Sequence, residues 1–116
     1  MLRRKGEHKE TLLESPFGGP GDVLFRHLAT KDDLCEQGRL YAIGTLKPGC
    51  AIGYHTHPSN EFEVYHILEG TGELNDNGEV LEIGEGDTAW IKPGQGHSIT
   101  NKGAKDLVFM ALVLYV

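Results

Sequence analysis

From residue 39 onward the chain alternates short runs rich in β-branched and aromatic residues with clusters of turn-forming residues. The runs are Leu40–Leu46, Ile52–His57, Glu63–Leu68, Gly72–Asn75, Val80–Ile83, Thr88–Ile91, His97–Asn101 and Leu107–Tyr115. Each is too short for a typical helix and has the composition of a strand. Pro48-Gly49, Asp76-Asn77-Gly78, Gly84-Glu85-Gly86 and Pro93-Gly94 punctuate them. Asn77-Gly78 between two such runs is the strongest short-range hairpin signal in the chain, because both residues tolerate the positive φ of a tight primed turn. Val23–Leu28 supplies one earlier strand. Many short strands at this spacing predict an all-β sandwich or barrel.

One helix interrupts the pattern. Thr30-Lys31-Asp32-Asp33 has the form of a capping box and Gly38 can close the helix it starts, so a short helix is expected near residues 31–36. Residues 1–22 carry mixed charge and the run Gly18-Gly19-Pro20-Gly21, which breaks both helix and central strand. This stretch is expected to be an N-terminal arm that crosses an edge or reaches a partner subunit. Residues 23–116 then form a single domain, in keeping with a chain of 116 residues.

Composition narrows the function. Eleven basic and 17 acidic residues give a net charge of −6 with no basic patch, so nucleic acid is not an expected partner. No apolar run approaches the roughly 18 residues of a membrane helix. The apolar stretch 107–115 suits a buried strand. Met1-Leu2-Arg3-Arg4-Lys5 is basic but no apolar segment follows, which argues against secretion. Cys35 and Cys50 belong to no CxxC and read as reduced thiols of a cytoplasmic protein. The apolar 107–115 strand and the long arm exceed what one small barrel covers, so a homodimer is expected.

The candidate chemistry lies in His55, His57, Glu63 and His97. Spaced two apart on a strand, His55 and His57 point to the same face. The turn Pro58-Ser59-Asn60 can bring Glu63 back beside them, with Tyr65 and Ile67 sharing its face and His66 opposed. His97 must come from a separate strand. Imidazole and carboxylate together suit a divalent first-row metal.

Other motifs carry less. Gly84-Glu85-Gly86-Asp87-Thr88-Ala89 has the form of a dinucleotide fingerprint, but a β-like run follows where a helix is needed. Cys50 has no charged neighbour in sequence to activate it and reads as a small buried thiol. His8, His27 and His66 stand outside any motif and are expected at the surface or an interface. Tyr54, Phe62, Trp90 and Phe109 are expected in the core or at an interface.

The glycine frame around the histidines resembles the two motifs of the cupin superfamily. Gly49 precedes His55-Thr56-His57 by five residues, and Glu63 precedes Gly70 by six. Gly86, Gly94, His97 and Asn101 match the second motif, and 15 residues separate Gly70 from Gly86. Two positions depart from the pattern: the gap from His57 to Glu63 is one residue longer, leaving Glu61 as the competing carboxylate, and Lys92 stands where the motif has proline. Within the superfamily the chain resembles small bacterial single-domain cupins called oxalate-decarboxylase-like or sugar-phosphate-isomerase-like.

The resemblance implies a double-stranded β-helix, or jelly-roll, barrel with a metal held near one mouth by His55, His57, Glu63 and His97. Four ligands leave two positions of an octahedral ion open. Mn or Fe is favoured, with Zn, Ni and Co also compatible. The implied activity is that of a metal-dependent enzyme acting on a small carboxylate or keto-acid by decarboxylation or dioxygenation. The rival is a non-catalytic module binding a small carboxylate or sugar through the same metal. Decarboxylation requires a proton donor, and Glu61 is the only one in view; it could equally support the metal ligands from outside, and the preferred expectation is a solvated turn residue. Tyr65 and Ile67 are the expected pocket walls.

Overall fold

The computed structural model describes all 116 residues. Ten strands follow in order: β1 Glu10–Glu14, β2 Asp22–Ala29, β3 Gly38–Leu46, β4 Ala51–Thr56, β5 Glu61–Glu69, β6 Thr71–Asp76, β7 Glu79–Gly84, β8 Thr88–Ile91, β9 Gly96–Thr100 and β10 Leu107–Tyr115. They form two antiparallel sheets, one of six strands in the order β1-β2-β3-β10-β5-β8 and one of four in the order β4-β9-β6-β7. The chain is all-β, and its two facing sheets make the jelly-roll barrel. No helix is long and apolar enough to cross a membrane.

Every strand expected from sequence is present. Asn77 and Gly78 take φ of 51° and 100° and close the β6–β7 hairpin, with Asp76 opposite Glu79. β1 was not expected, since Glu-Thr-Leu-Leu-Glu has no alternation to mark it. It pairs with β2 at the edge of the larger sheet, Thr11 opposite Phe25 and Leu13 opposite Val23. The remainder of the arm makes a 3-10 turn at Pro16–Gly18 and lies against β4, where Ala51 N–H donates to Pro20 O at 2.9 Å.

The helix expected near residues 31–36 does not form. The capping bonds are there: Thr30 N–H donates to Asp33 Oδ2 at 2.8 Å, and Asp33 N–H to Thr30 Oγ1 at 3.2 Å. One helical bond follows, from Leu34 N–H to Thr30 O. Cys35 and Glu36 then both take positive φ, 54° and 61°, which turns the chain left-handed after a single turn. The capping signal acts at its start, but too few residues remain before β3 to propagate a helix.

β10 explains the long apolar run at the C-terminus. It lies between β3 and β5, and Leu107, Phe109, Ala111 and Val113 on its inner face are fully buried. The opposite face carries Val108, Met110, Leu112 and Leu114, all partly exposed. At the centre of the core the Phe109 ring meets Phe25 edge-on at 6.3 Å and Tyr65 at 5.0 Å, and a side chain at Gly44 would collide with it.

Replacing Phe109 with alanine is therefore expected to cost about 3–5 kcal/mol of stability, through lost burial and a cavity that three elements cannot fill. Urea unfolding followed by tryptophan fluorescence measures this. A loss below about 1 kcal/mol would contradict the assignment of Phe109 as the central packing residue.

Candidate metal centre

β4 reaches the site through an irregularity. Ile52 pairs with Ile99 and His55 with His97, so β4 has one residue more than β9 between these pairs. Regular alternation would send Ile52 and His55 to opposite faces. The bulge at Gly53-Tyr54 lets Ile52 enter the core while His55 faces the interior. His57 follows just past the strand, held by its N–H to Gln95 O at 3.0 Å and by Gly94 N–H to its carbonyl at 3.2 Å. Lys92, in the motif's proline position, leaves this turn intact, with Gln95 N–H donating to Lys92 O. Glu63 comes from β5 in the other sheet, on the face it shares with Glu61, Tyr65 and Ile67. The site thus lies between the sheets.

The donor atoms converge. Glu63 Oε1 lies 3.0 Å from His97 Nε2 and 3.2 Å from His57 Nε2, and the two Nε2 atoms are 3.1 Å apart. With His55 included, all four ligand atoms fall within 4.8 Å of one another. Metal–donor bonds of about 2.1 Å place neighbouring donors roughly 3.0–3.4 Å apart, so this spacing fits a common cation. Two imidazole lone pairs at such a distance repel unless a positive charge lies between them. His57, Glu63 and His97 are buried, and His55 is partly so.

The outer nitrogens of the rings have fixed partners. His57 Nδ1 donates to Glu61 Oε1 at 2.8 Å, and His55 Nδ1 to Gly53 O at 2.8 Å. Each bond holds a proton on Nδ1 and leaves Nε2 facing the cluster, where it can give its lone pair to a cation in place of the proton it shares with Glu63, as metal-ligating histidines do. Stacking fixes the planes: Phe17 lies 4.0 Å from the His55 ring at 12°, and Tyr65 5.0 Å from the His97 ring at 6°.

Electrostatics follow from this packing. Burial alone would raise the Glu63 carboxyl, but hydrogen bonds and charge from His57 and His97 outweigh it and hold the group down at about 2. His57 is raised, chiefly by its bond to Glu63, whereas burial lowers His55. Burial, together with the Glu63 carboxylate, keeps Tyr65 a neutral phenol. The Arg39 guanidinium holds Glu61 below the usual carboxylate range.

The structure brings together His55, His57, Glu63 and His97, the four residues singled out by spacing. Glu61 stays outside the cluster, on the far edge of the His57 ring, and it is no solvated turn residue: only 3% of it is exposed. Tyr65 lines the cavity beside the cluster, whereas Ile67 shares its face but is sealed in the core. His27, expected at the surface, lies on the cavity wall, 3.0 Å from Thr11 Oγ1. His66 faces outward and meets Thr88. Asn101 of the second motif has no part in the cluster. Its buried amide donates to Leu46 O and Lys105 O, pinning the loop before β10.

Sequence reasoning missed Phe17, Arg39 and Gly53. The Gly53 carbonyl orients His55, and a side chain at Gly53 would strike the Phe17 carbonyl. The glycine run after Phe17 was the available sign of close backbone approach, while nothing local marks Arg39. The cavity, about 550 Å³, opens between the sheets and is walled by His55, His57 and Glu63 of the cluster together with Phe17, Phe25, Arg39 and Ile52.

Two sheets enclosing a three-histidine, one-glutamate cluster at a cavity mouth define a metal-capable β-barrel. The chain belongs to the cupin domain family, whose model matches residues 42–115. It is 38% identical over 114 residues to the oxalate-binding protein of Thermotoga maritima, covering 98% of this chain and 93% of that protein. A Thermotoga maritima crystal structure described as a predicted oxalate decarboxylase superposes with a TM-score of 0.94 at 37% identity, over 100% of both chains. The polyketide cyclase RemF of Streptomyces resistomycificus superposes with a TM-score of 0.76 at 22% identity, over 99% of this chain and 80% of that one. That likeness shows the fold alone.

Glu63→Gln is expected to abolish most metal retention, whereas Glu61→Gln lowers it by a smaller factor, on the order of ten, through the His57 ring. Elemental analysis after dialysis against a weak chelator measures both. Equal losses would reassign the carboxylate ligand. Retained metal is also expected to fall as pH drops through the imidazole range, beginning at His57, whose hold on a proton is raised by its bond to Glu63.

Proposed function

We propose that this protein binds a small carboxylate, with oxalate the leading candidate, at a divalent metal held by His55, His57, Glu63 and His97. The donor set, neutral imidazole with one carboxylate, suits Mn or Fe among first-row ions. When bound, such an ion supplies positive charge to which carboxylate oxygens are attracted. The chain's own residues supply the rest. Glu61 and Gly53 fix the histidine tautomers, Phe17 and Tyr65 hold the ring planes, and Ile52 and Phe25 wall the cavity against water. The relative named for oxalate binding supports the ligand class, since the two chains align over nearly their full lengths.

The observation that favours binding over turnover is the state of Glu61. Decarboxylation needs a proton delivered to the carbon that loses CO2. Glu61, the acid expected for that task, accepts two hydrogen bonds from Arg39, at 2.6 and 2.8 Å, and one from His57. A carboxylate in these bonds is ionised and has no proton to give. Titration of Mn2+-loaded protein with oxalate by calorimetry, with CO2 and formate monitored in parallel, tests this reading. Metal-dependent binding without product is expected. Steady product release would make the protein an enzyme, and no binding by loaded protein would end the proposal.

The outer face of the six-stranded sheet supports a homodimer. Tyr41, Leu112, Val64 and Trp90 lie in one row across β3, β10, β5 and β8, with Ile43 beside Met110 in the next. Trp90 is 62% exposed. An antiparallel sheet with one solvated face normally carries polar residues there. Three strands by four such rows, with two further positions on β8, cover roughly 450 Å² of flat area, which side-chain relief brings toward the ~800 Å² per partner of a standard interface. A second copy of this chain, offering the same apolar strip bordered by Arg26 of β2, is the occupant this face favours. Light scattering at micromolar concentration is expected to give twice the chain mass, and Leu112→Arg to halve it; a monomeric wild-type protein contradicts the assignment.

A further inference from the structure

Arg39 owes its orientation to a defect in strand pairing. Against β10, Leu40 pairs with Val113 and Gly38 with Leu114, so Arg39 is the extra residue of a β-bulge. Regular alternation would turn its side chain to the outer face with Tyr41 and Ile43. Instead it reaches the inward-facing Glu61 and lines the same cavity as His55, His57 and Glu63. Bulges commonly re-aim single side chains in this way beside functional sites.

The guanidinium is only partly engaged. Nε donates to Glu61 Oε2 and Nη2 to Glu61 Oε1, which occupies one edge of the fork. Nη1 has no protein partner, and 45% of the side chain is accessible. The Nη1–Nη2 edge therefore retains the paired donors that match a second carboxylate. Through Glu61 Oε1 the guanidinium lies two hydrogen bonds, of 2.6 and 2.8 Å, from His57 Nδ1, and it borders the same cavity as His55, His57 and Glu63. Its charge also matters. Glu61 and Glu63 would together cancel a divalent ion, and Arg39 restores a net positive site that favours an anion of higher charge.

We propose that Arg39 is the specificity-determining residue of the cavity, its free Nη1–Nη2 edge taking the carboxylate oxygens of a dicarboxylate that face away from the metal cluster. This rests on the reading of the cluster as a metal-assisted carboxylate site. Oxalate and glyoxylate form the matched pair, equal in carbon count but differing by one carboxylate. A positioning role through Glu61 and His57 would instead appear as lost metal.

Calorimetry on Mn2+-loaded full-length protein, with metal content measured on the same samples, tests the assignment. Wild-type protein is expected to prefer oxalate. Arg39→Gln is expected to weaken oxalate by roughly 10- to 100-fold while glyoxylate changes by less than about threefold and metal content stays full. Arg39→Lys, which keeps the charge without the fork, is expected to fall between. If Arg39→Gln keeps the oxalate preference, or loses metal and both ligands together, Arg39 does not read the ligand. If loaded wild-type protein binds neither anion, the carboxylate-site reading itself fails, and Arg39's role with it.

Discussion

The constraint on which the rest of the structure depends is the buried carboxylate of Glu63, held between two histidines from the opposite sheet. A charge taken out of water is tolerated only when it is paired and hydrogen-bonded. His57 and His97 meet it at 3.2 and 3.0 Å, and in doing so they tie β5 of one sheet to the β4–β9 pair of the other. Removing either side of this contact leaves an uncompensated polar group in the interior. The same contact creates the cation-shaped gap among the donors, so the cross-sheet tie and the chemical site are one feature.

Two irregularities in strand pairing make that feature usable. The Gly53-Tyr54 bulge rotates His55 into phase with the core residue Ile52, and the bulge at Arg39 brings a guanidinium in from a face where alternation would have exposed it. Around them a layer of supporting groups, Glu61, the Gly53 carbonyl, Phe17 and Tyr65, removes the freedom of the rings. The N-terminal arm belongs to this layer, because Phe17 comes from its 3-10 turn and Thr11 from its strand. The arm is part of the site wall, not a loose appendage.

These contacts also set what the cavity attracts. With a divalent ion bound, two carboxylates and one guanidinium would leave the site positive, within a chain whose net charge is −6. On the proposed reading such a field would draw a small anion despite the overall sign, since buried groups are screened far less than those on the surface.

The order of the strands' side chains and the identity of the cluster were both legible in the sequence. A period of two places His55 with His57 and Glu63 with Tyr65 whatever the surroundings, and the glycine frame fixed which histidine completes the set. The burial of Glu61 is not legible locally, because it depends on Arg39, 22 residues away and invisible to any local pattern. The helix near residues 31–36 failed for a related reason. Its capping box formed, yet the short path into β3 left no room to extend it. Bulges, ring stacking and the engagement of Arg39 arise from register between strands distant in sequence, which only the tertiary structure decides. The sequence by itself determined an all-β barrel with four convergent ligands. Packing between the sheets decided which carboxylate enters the cluster, which one braces it, and that an arginine faces the cavity beside them.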